Sequence, residues 1–226
     1  MTKNPMRRGG AVAAVATVLS LALAPASFAT GGPVPERSVS TTSQDAQPLP
    51  TSPAAYELGE ELAGLSGKQL EVSFLAAVIP HHRGAVEMAK LERERGTDSG
   101  VRHRAENIIS GQQHQLDRYT HWLRDWYGLT PQQARDQAPA EVREEMAELD
   151  KERRHRLDEL RGTPAGKHFD TAFVKRMIPH HSAGIALSLE AQSRAVHHRL
   201  REAASTGITV QQTEIEDFRD WLGRHR

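Results

Sequence analysis

An internal repeat constrains the fold of this chain more than any other feature of its sequence. A shift of 99 residues places segment 74–123 on segment 173–222 without a gap, with 13 identities in 50 positions. The identities include Ile79-Pro80-His81-His82 against Ile178-Pro179-His180-His181, and Trp122-Leu123 against Trp221-Leu222. So many matches in one register indicate a duplicated unit, so the two halves should share one structure related by approximate twofold symmetry.

Each half is predicted to form a helical hairpin. In the first half the helices cover about 68–95 and 99–127, and the turn Gly96-Thr97-Asp98-Ser99-Gly100 separates them. Apolar residues of the second helix recur at steps of three and four, which is the helical period: Ala105, Ile109, Leu116, Tyr119 and Leu123. In the second half we expect Thr163 to cap the first helix and Pro164 to occupy its first turn.

The segment between the halves is predicted to be a connecting helix. Residues 141–161 are highly charged but keep a narrow apolar stripe of Val142, Met146, Leu149 and Leu160. Signals for strands are almost missing. The predicted fold is therefore all-α: a four-helix bundle of two pseudo-symmetric hairpins, comprising a first half (66–127), a connector (128–163) and a second half (164–226).

The N-terminus predicts export. Lys3, Arg7 and Arg8 precede an apolar run over 11–24, and Ser27-Phe28-Ala29 supplies small residues for cleavage near Ala29. This order is typical of a secretory signal peptide over 1–29, and the run is shorter than the ~20 residues that span a bilayer. Residues 30–65 are rich in Pro, Ser, Thr and Gly and are predicted to form a disordered tether.

Composition limits the classes of partner. The formal net charge is zero, so no nucleic-acid surface is indicated, and no membrane span is predicted in the mature chain. Cysteine is absent, so a metal site in this chain would be built from histidine, methionine and carboxylates. A homo-oligomer or an unknown partner in the cell envelope stays open.

The paired histidines are the candidate metal ligands. On a helical wheel His82 shares the apolar arc with Leu75, Ile79 and Val86, and His81 lies at its edge. Pseudo-symmetry can bring four imidazoles and two thioethers towards one axis: His81, His82, His180, His181, Met88 and Met177. Imidazole suits copper, zinc, iron and nickel, while thioether favours Cu(I).

The remaining histidines and glutamines have weaker claims. His103, His114 and His121 share a face opposite the apolar one and are expected to be solvated, and so is the His197-His198 pair. Gln112-Gln113 and Gln211-Gln212 flank the apolar arc and could hydrogen-bond the interior imidazoles. Each proline before a His-His pair is expected to kink its helix or to start a new segment.

The two motifs resemble the bacterial domain of unknown function 305 family. The hallmark of that family is Met-Ile-Pro-His-His-x-x-Ala-Ile-x-Met-Ala followed by a helix that ends near a tryptophan, here Trp122 and Trp221. The resemblance covers about residues 66–226 and implies a ferritin-like helical bundle. It also implies copper binding, since some members are exported proteins that bind copper and help cells to tolerate it.

The resemblance carries over residue by residue to His81, His82 and Met88 in the first half and to Met177, His180 and His181 in the second. Two positions depart from the family pattern. Val78 replaces the early methionine of the first motif, and Leu187 replaces the late methionine of the second. One ion shared between the halves would retain a full His/Met set, whereas separate sites would both be depleted.

Three functions follow from these observations. The first is an exported metal-binding protein for copper, as Cu(I) or Cu(II), with zinc or another divalent metal as a variant, acting in buffering, scavenging or tolerance. The second is a structural or partner-binding bundle whose buried histidines hydrogen-bond each other. The third is a metal oxidase, which is disfavoured because Glu87 lies towards solvent on the wheel and Glu92 aligns with Ala191. We therefore expect no enzyme activity.

Overall fold

The computed structural model describes residues 52–225, and in this part of the chain all regular structure is α-helical. The helices are α1 (Pro53–Ala63), α2 (Gly67–Arg95), α3 (Ser99–Tyr127), α4 (Pro131–Gln137), α5 (Ala140–Gly162), α6 (Lys167–Arg194) and α7 (His198–Arg224). The predicted signal peptide and the predicted tether up to residue 51 lie outside the described residues. None of the described helices is long and apolar enough to cross a membrane.

The four long helices form the two predicted hairpins, which confirms the all-α bundle. Helix α2 packs against α3, α6 packs against α7, and α2 and α6 pack against each other at the centre. The turn of the first hairpin follows its local sequence: the Asp98 side chain accepts a hydrogen bond from the Val101 amide at 2.9 Å and caps α3. Gly128, at φ +68°, ends that helix in the left-handed conformation that favours glycine.

The prediction of a disordered tether up to residue 65 is wrong for residues 53–63, which form α1. Pro53 occupies the first helical position, where its missing amide hydrogen costs nothing. Ala54, Ala55, Leu58 and Leu62 are buried against the bundle. These residues form a short apolar stripe at helical spacing. Because the segment as a whole is polar, the sequence pattern did not predict this helix.

The second half begins three residues later than predicted. Thr163 ends α5, and the chain then reaches Gly166, whose φ of +106° immediately precedes α6. Gly67, which lies 99 residues earlier, also has a positive φ of 54° at the start of α2. A left-handed glycine is therefore the shared device that starts each motif helix, in place of the predicted Thr163-Pro164 cap. Helix α4 was not predicted, although Thr130 and Gln133 cap it reciprocally.

The repeat extends beyond the two hairpins to the helix that precedes each of them. Helix α1 packs on α6, and α5 packs on α2, so each leading helix lies on the opposite half. The identical Arg95 and Arg194 secure this exchange. Arg95 donates to the carbonyls of Arg161 and Thr163 at the end of α5, and Arg194 donates to the last carbonyls of α1, including that of Ala63 at 2.9 Å.

Two buried carboxylates tie the halves together at the hairpin turns. Asp170 on α6 accepts hydrogen bonds from the Thr97 amide (2.9 Å), the Thr97 hydroxyl (2.9 Å) and the Asp98 amide (3.1 Å). Glu71 on α2, 99 residues before Asp170, accepts from the His197 amide at 2.7 Å and lies 2.7 Å from His197 Nδ1. Each carboxylate thus accepts hydrogen bonds from backbone amides at the turn of the other half. These amides have no hydrogen-bond partner within a helix.

Candidate metal centre

The two Pro-His-His motifs lie in the middle of α2 and α6, where these central helices pack together. Both helices continue through Pro80 and Pro179, so neither proline starts a new segment. All four imidazoles are buried, with His81 and His82 at 3% and 2% exposure and His180 and His181 at 0%. The predicted placement of all four histidines inside the bundle is therefore confirmed.

His81 and His180 stack on each other across the interface between α2 and α6. Their ring centroids are 3.9 Å apart and the ring planes differ by only 2°. Because the lone pairs of an imidazole lie in the plane of its ring, two parallel stacked rings do not point at a common position. This pair could share one ion only after at least one ring rotates.

The connecting helix α5 covers the stacked pair with arginines. Arg153 lines a small cavity together with His81, and a side chain at Gly84 would collide with Arg153 (2.6 Å from its Cδ). Burial holds the pKa of both His81 and His180 well below the ordinary value, and the neighbouring imidazoles and the Arg156 guanidinium lower it further. The stacked rings are therefore neutral at pH 7 and lie in a positive environment.

His82 and His181, the second histidine of each pair, face the outer helices instead. The His82 ring lies 5.8 Å from the Tyr119 ring on α3, and the His181 ring lies 6.5 Å from the Phe218 ring on α7. Burial lowers the pKa of His82 to about 4. His181 Nε2 is 2.8 Å from Glu214 Oε2, without the alignment of a hydrogen bond.

No ring nitrogen of these four buried histidines has a hydrogen-bond partner of good geometry within the described residues. Native proteins pair almost all of their buried polar atoms, so eight such nitrogens in one place call for a specific reason. A metal ion accepts the lone pair of a neutral imidazole, and these residues therefore fit a metal chemically.

The two predicted thioether ligands lie in the same part of the core. Met88 and Met177 belong to the apolar cluster around Phe173 and Phe218, with exposures of 1% and 0%. The family-pattern positions that lack methionine, Val78 and Leu187, belong together to the other apolar cluster, around Phe74 and Tyr119. Val78 belongs to the first half of the sequence and Leu187 to the second. In the folded bundle both nevertheless lie on the same side of the pseudo-twofold axis.

The structure does not gather all six predicted ligands around one point. Among residues 52–225, no three His, Cys, Asp or Glu side chains are arranged closely enough to hold a metal ion. His81 pairs with His180, whereas His82 and His181 point towards α3 and α7. A mixed histidine and methionine site is the arrangement that this placement permits.

A groove between α3 and α7 leads towards the second histidine of each pair. It encloses a cavity of about 210 Å³ lined by Gln112, Gln115, Gln211 and Glu214. Gln112 and Gln211 are buried at 6% and 3% exposure, and their side-chain carbonyl oxygens have no hydrogen-bond partner among the described residues. One glutamine of each predicted pair therefore faces inwards, whereas Gln113 and Gln212 are exposed. The predicted hydrogen bonds from these glutamines to the imidazoles are not formed among the described residues.

Several polar residues near the centre escaped sequence reasoning. Glu214 aligns with Gln115 in the repeat, so the difference in charge between those two positions was the available signal. His103, His114 and His121 are exposed as predicted. His197 is instead half-buried: besides its pairing with Glu71, it stacks on Trp126 at 3.8 Å between centroids.

The family of domains described as "Domain of unknown function (DUF305)" matches residues 60–222. This chain belongs to the DUF305 family. The match confirms the resemblance drawn from the two motifs. It covers α2 to α6 in full, together with the C-terminal end of α1 and most of α7. No curated protein matches the sequence.

Solved structures of similar fold include other DUF305 proteins. CopM in its Cu(I)-bound form has a TM-score of 0.55 at 22% identity, covering 68% of this chain and 96% of that one. CopM in its Cu(II)-bound form has a TM-score of 0.56 at 22% identity, covering 69% and 97%. A DUF305 protein from Streptomyces coelicolor, described as secreted, has a TM-score of 0.55 at 22% identity, covering 68% and 92%. At this identity the likeness establishes the shared helical fold.

Proposed function

We propose that this DUF305 protein binds copper through its interior histidines and methionines. The observation that carries the proposal is the set of eight buried imidazole nitrogens, none of which makes a hydrogen bond of good geometry. The six candidate ligands are those named from the sequence: His81, His82, Met88, Met177, His180 and His181. All six side chains are at most 3% exposed, so water does not compete for their lone pairs.

The ligand types favour copper over other metals. Thioether sulfur is a soft ligand that prefers Cu(I), and imidazole binds both oxidation states of copper. Zinc or another divalent ion is the variant of this proposal in which the imidazoles act without the sulfurs. Structural neighbours support copper, because CopM is known in Cu(I)-, Cu(II)- and Ag-bound forms.

The alternative of a purely structural bundle has less support. It requires the buried histidines to hydrogen-bond one another, and within the described chain they do not. His81 and His180 are in contact face to face, through ring surfaces that carry no donor or acceptor. Leaving such nitrogens unpaired costs free energy that a bound ion would offset.

Export and the absence of catalysis complete the proposal. We propose that the protein acts outside the cytoplasm, in the periplasm or cell envelope, in copper buffering, scavenging or tolerance. The predicted signal peptide supports this location, as does the secreted DUF305 neighbour. We also propose that the protein is not an enzyme, since Glu92 is fully buried beside Asp170 and away from the histidines, where it cannot bridge a pair of irons. Oxygen consumption on addition of Fe(II) would contradict this.

The direct test is the metal content of purified residues 30–226 after exposure to equal amounts of Cu, Zn, Fe and Ni under reducing conditions. Inductively coupled plasma mass spectrometry should find copper retained through gel filtration in stoichiometric amount. His103→Ala, at an exposed histidine, is the matched control and should retain the same amount. Retention of zinc alone would show that the protein binds zinc instead of copper. Retention of no metal would favour the structural bundle.

A further inference from the structure

We infer that copper occupies only one side of the pseudo-twofold axis, where His181, Met177 and Met88 bind it and Glu214 guards the approach. This inference rests on the proposed copper binding and adds which of the ligands hold the ion. It also assigns a role to Glu214, an acidic residue at 17% side-chain exposure beside an interior imidazole.

The pseudo-symmetry supplies an internal comparison between two equivalent positions. On one side the polar and sulfur groups are His181, Glu214, Met177 and Met88. The residues related to them by the 99-residue shift are His82, Gln115, Val78 and Leu187. Three of the four pairs differ, and every difference places the better copper ligand or the negative charge on the His181 side.

Local geometry gathers these groups. Met177 and His181 are four residues apart on α6 and therefore share a helix face. Phe218, whose ring neighbours His181, belongs to the same apolar cluster as Met88 and Met177. Glu214 Oε2 lies 2.8 Å from His181 Nε2. In the proposed site a small rotation of the ring lets Nε2 donate to this carboxylate, while Nδ1 binds the ion.

Electrostatics disfavours the stacked pair as the site. His81 shares a cavity with Arg153, whose guanidinium is held on α5 by Asp150 at 3.5 Å. A cation placed between His81 and His180 would meet a fixed positive charge and rings whose lone pairs do not converge. On the His181 side the Glu214 carboxylate lies 2.8 Å from the ring and attracts a cation, although Arg118 also lines the outer groove.

The groove between α3 and α7 provides the route to this site. Glu214 and Gln211 line it on α7, and the unpartnered side-chain oxygen of Gln211 is buried beside Gly184, one turn beyond His181. An ion entering the cavity therefore meets oxygen donors first and then the imidazole and sulfurs. Oxygen ligands hold Cu(I) weakly and soft ligands hold it tightly, so this order draws the ion inwards.

The test compares variants across the pseudo-symmetry. Cu(I) affinity is measured by competition with a chromogenic Cu(I) chelator under anaerobic conditions, and sulfur ligation by X-ray absorption at the copper edge. Met177→Leu keeps the side-chain volume and should lower affinity by about tenfold or more, while the sulfur scattering falls to the contribution of Met88 alone. His181→Ala should abolish binding. Met146→Leu, the same change at a buried methionine of the other apolar cluster, is the matched control and should leave affinity within about threefold. Circular dichroism checks that each variant is folded.

A variant that gains a second Cu(I) site tests the inference without relying on loss of binding. The combined change Val78→Met, Leu187→Met and Gln115→Glu should give the His82 side its own ligand set and raise capacity from one Cu(I) per chain to two. A wild-type protein without copper overturns the proposed function. Copper that survives Met177→Leu and His181→Ala but is lost in His82→Ala overturns only the choice of side.

Discussion

Glu92 gives this protein an unusual dependence of stability on pH. Its side chain is 0% exposed near the end of α2, beside the hydrogen-bonded carboxylate of Asp170. Burial, together with the proximity of Asp170 and Asp98, raises the pKa of Glu92 to about 9. At neutral pH the folded protein therefore keeps this carboxyl protonated, whereas the unfolded chain ionises it.

The sign and size of the effect follow from proton linkage. Between the unfolded pKa of about 4.5 and the folded pKa of about 9, the folded state binds one more proton, so stability falls as pH rises. At pH 7 the difference from the unfolded pKa corresponds to at most about 3 kcal/mol. Glu92→Gln keeps the shape without the ionisation, so it should raise the free energy of unfolding by up to that amount.

The assay is urea unfolding followed by circular dichroism at several pH values. The Glu92→Gln protein should match the wild type near pH 4.5, exceed its free energy of unfolding by up to about 3 kcal/mol at pH 7, and exceed it further towards pH 8. Glu94→Gln, an exposed neighbour on the same helix, is the control and should change little. A Glu92→Gln protein with the same pH slope as the wild type would refute the linkage.

Two further predictions concern Asp170 and the metal. Asp170→Ala removes three hydrogen bonds at the first hairpin turn and should lower the free energy of unfolding by about 3–5 kcal/mol in a urea titration. Asp158→Ala, at an exposed aspartate on α5, is the control and should be nearly neutral. Cu(I) at a hundred times its dissociation constant should stabilise the folded protein by about 2.7 kcal/mol, measured by calorimetry, and a melting temperature unmoved by copper would contradict interior binding.

The sequence predicted the hairpins because their information is local. Apolar residues at helical spacing fix the faces of α2, α3, α6 and α7, and the repeat doubles that evidence. It missed α1 because eleven residues with four buried ones give a weak periodic signal inside a polar region. The ferritin-like comparison stays a prediction that follows from the family resemblance.

The candidate site was predictable in its residue types and not in its arrangement. The motifs placed four imidazoles in the core, but the stacking of His81 on His180 depends on how closely α2 and α6 approach each other. Likewise, Val78 and Leu187 were visible as departures from the family pattern, while their common side of the axis is a property of packing. Glu71 and Asp170 lie just outside the aligned segment, and short-range pattern cannot reveal partners more than seventy residues away.

The exchange of Asp170 and Glu71 between the halves has the form of an isologous interface. The contact from Glu71 to His197 becomes, after a shift of 99 residues, the contact from Asp170 to Asp98. In a homodimer with a twofold axis, each subunit makes the same reciprocal contact on its mate. The two halves of this chain are thus arranged like the two subunits of a homodimer, and α5 connects them within one polypeptide. Because both copies lie in one chain, equivalent positions can differ in residue type, which an identical pair of subunits does not allow. Met177 and Met88 on one side of the axis accordingly correspond to Val78 and Leu187 on the other.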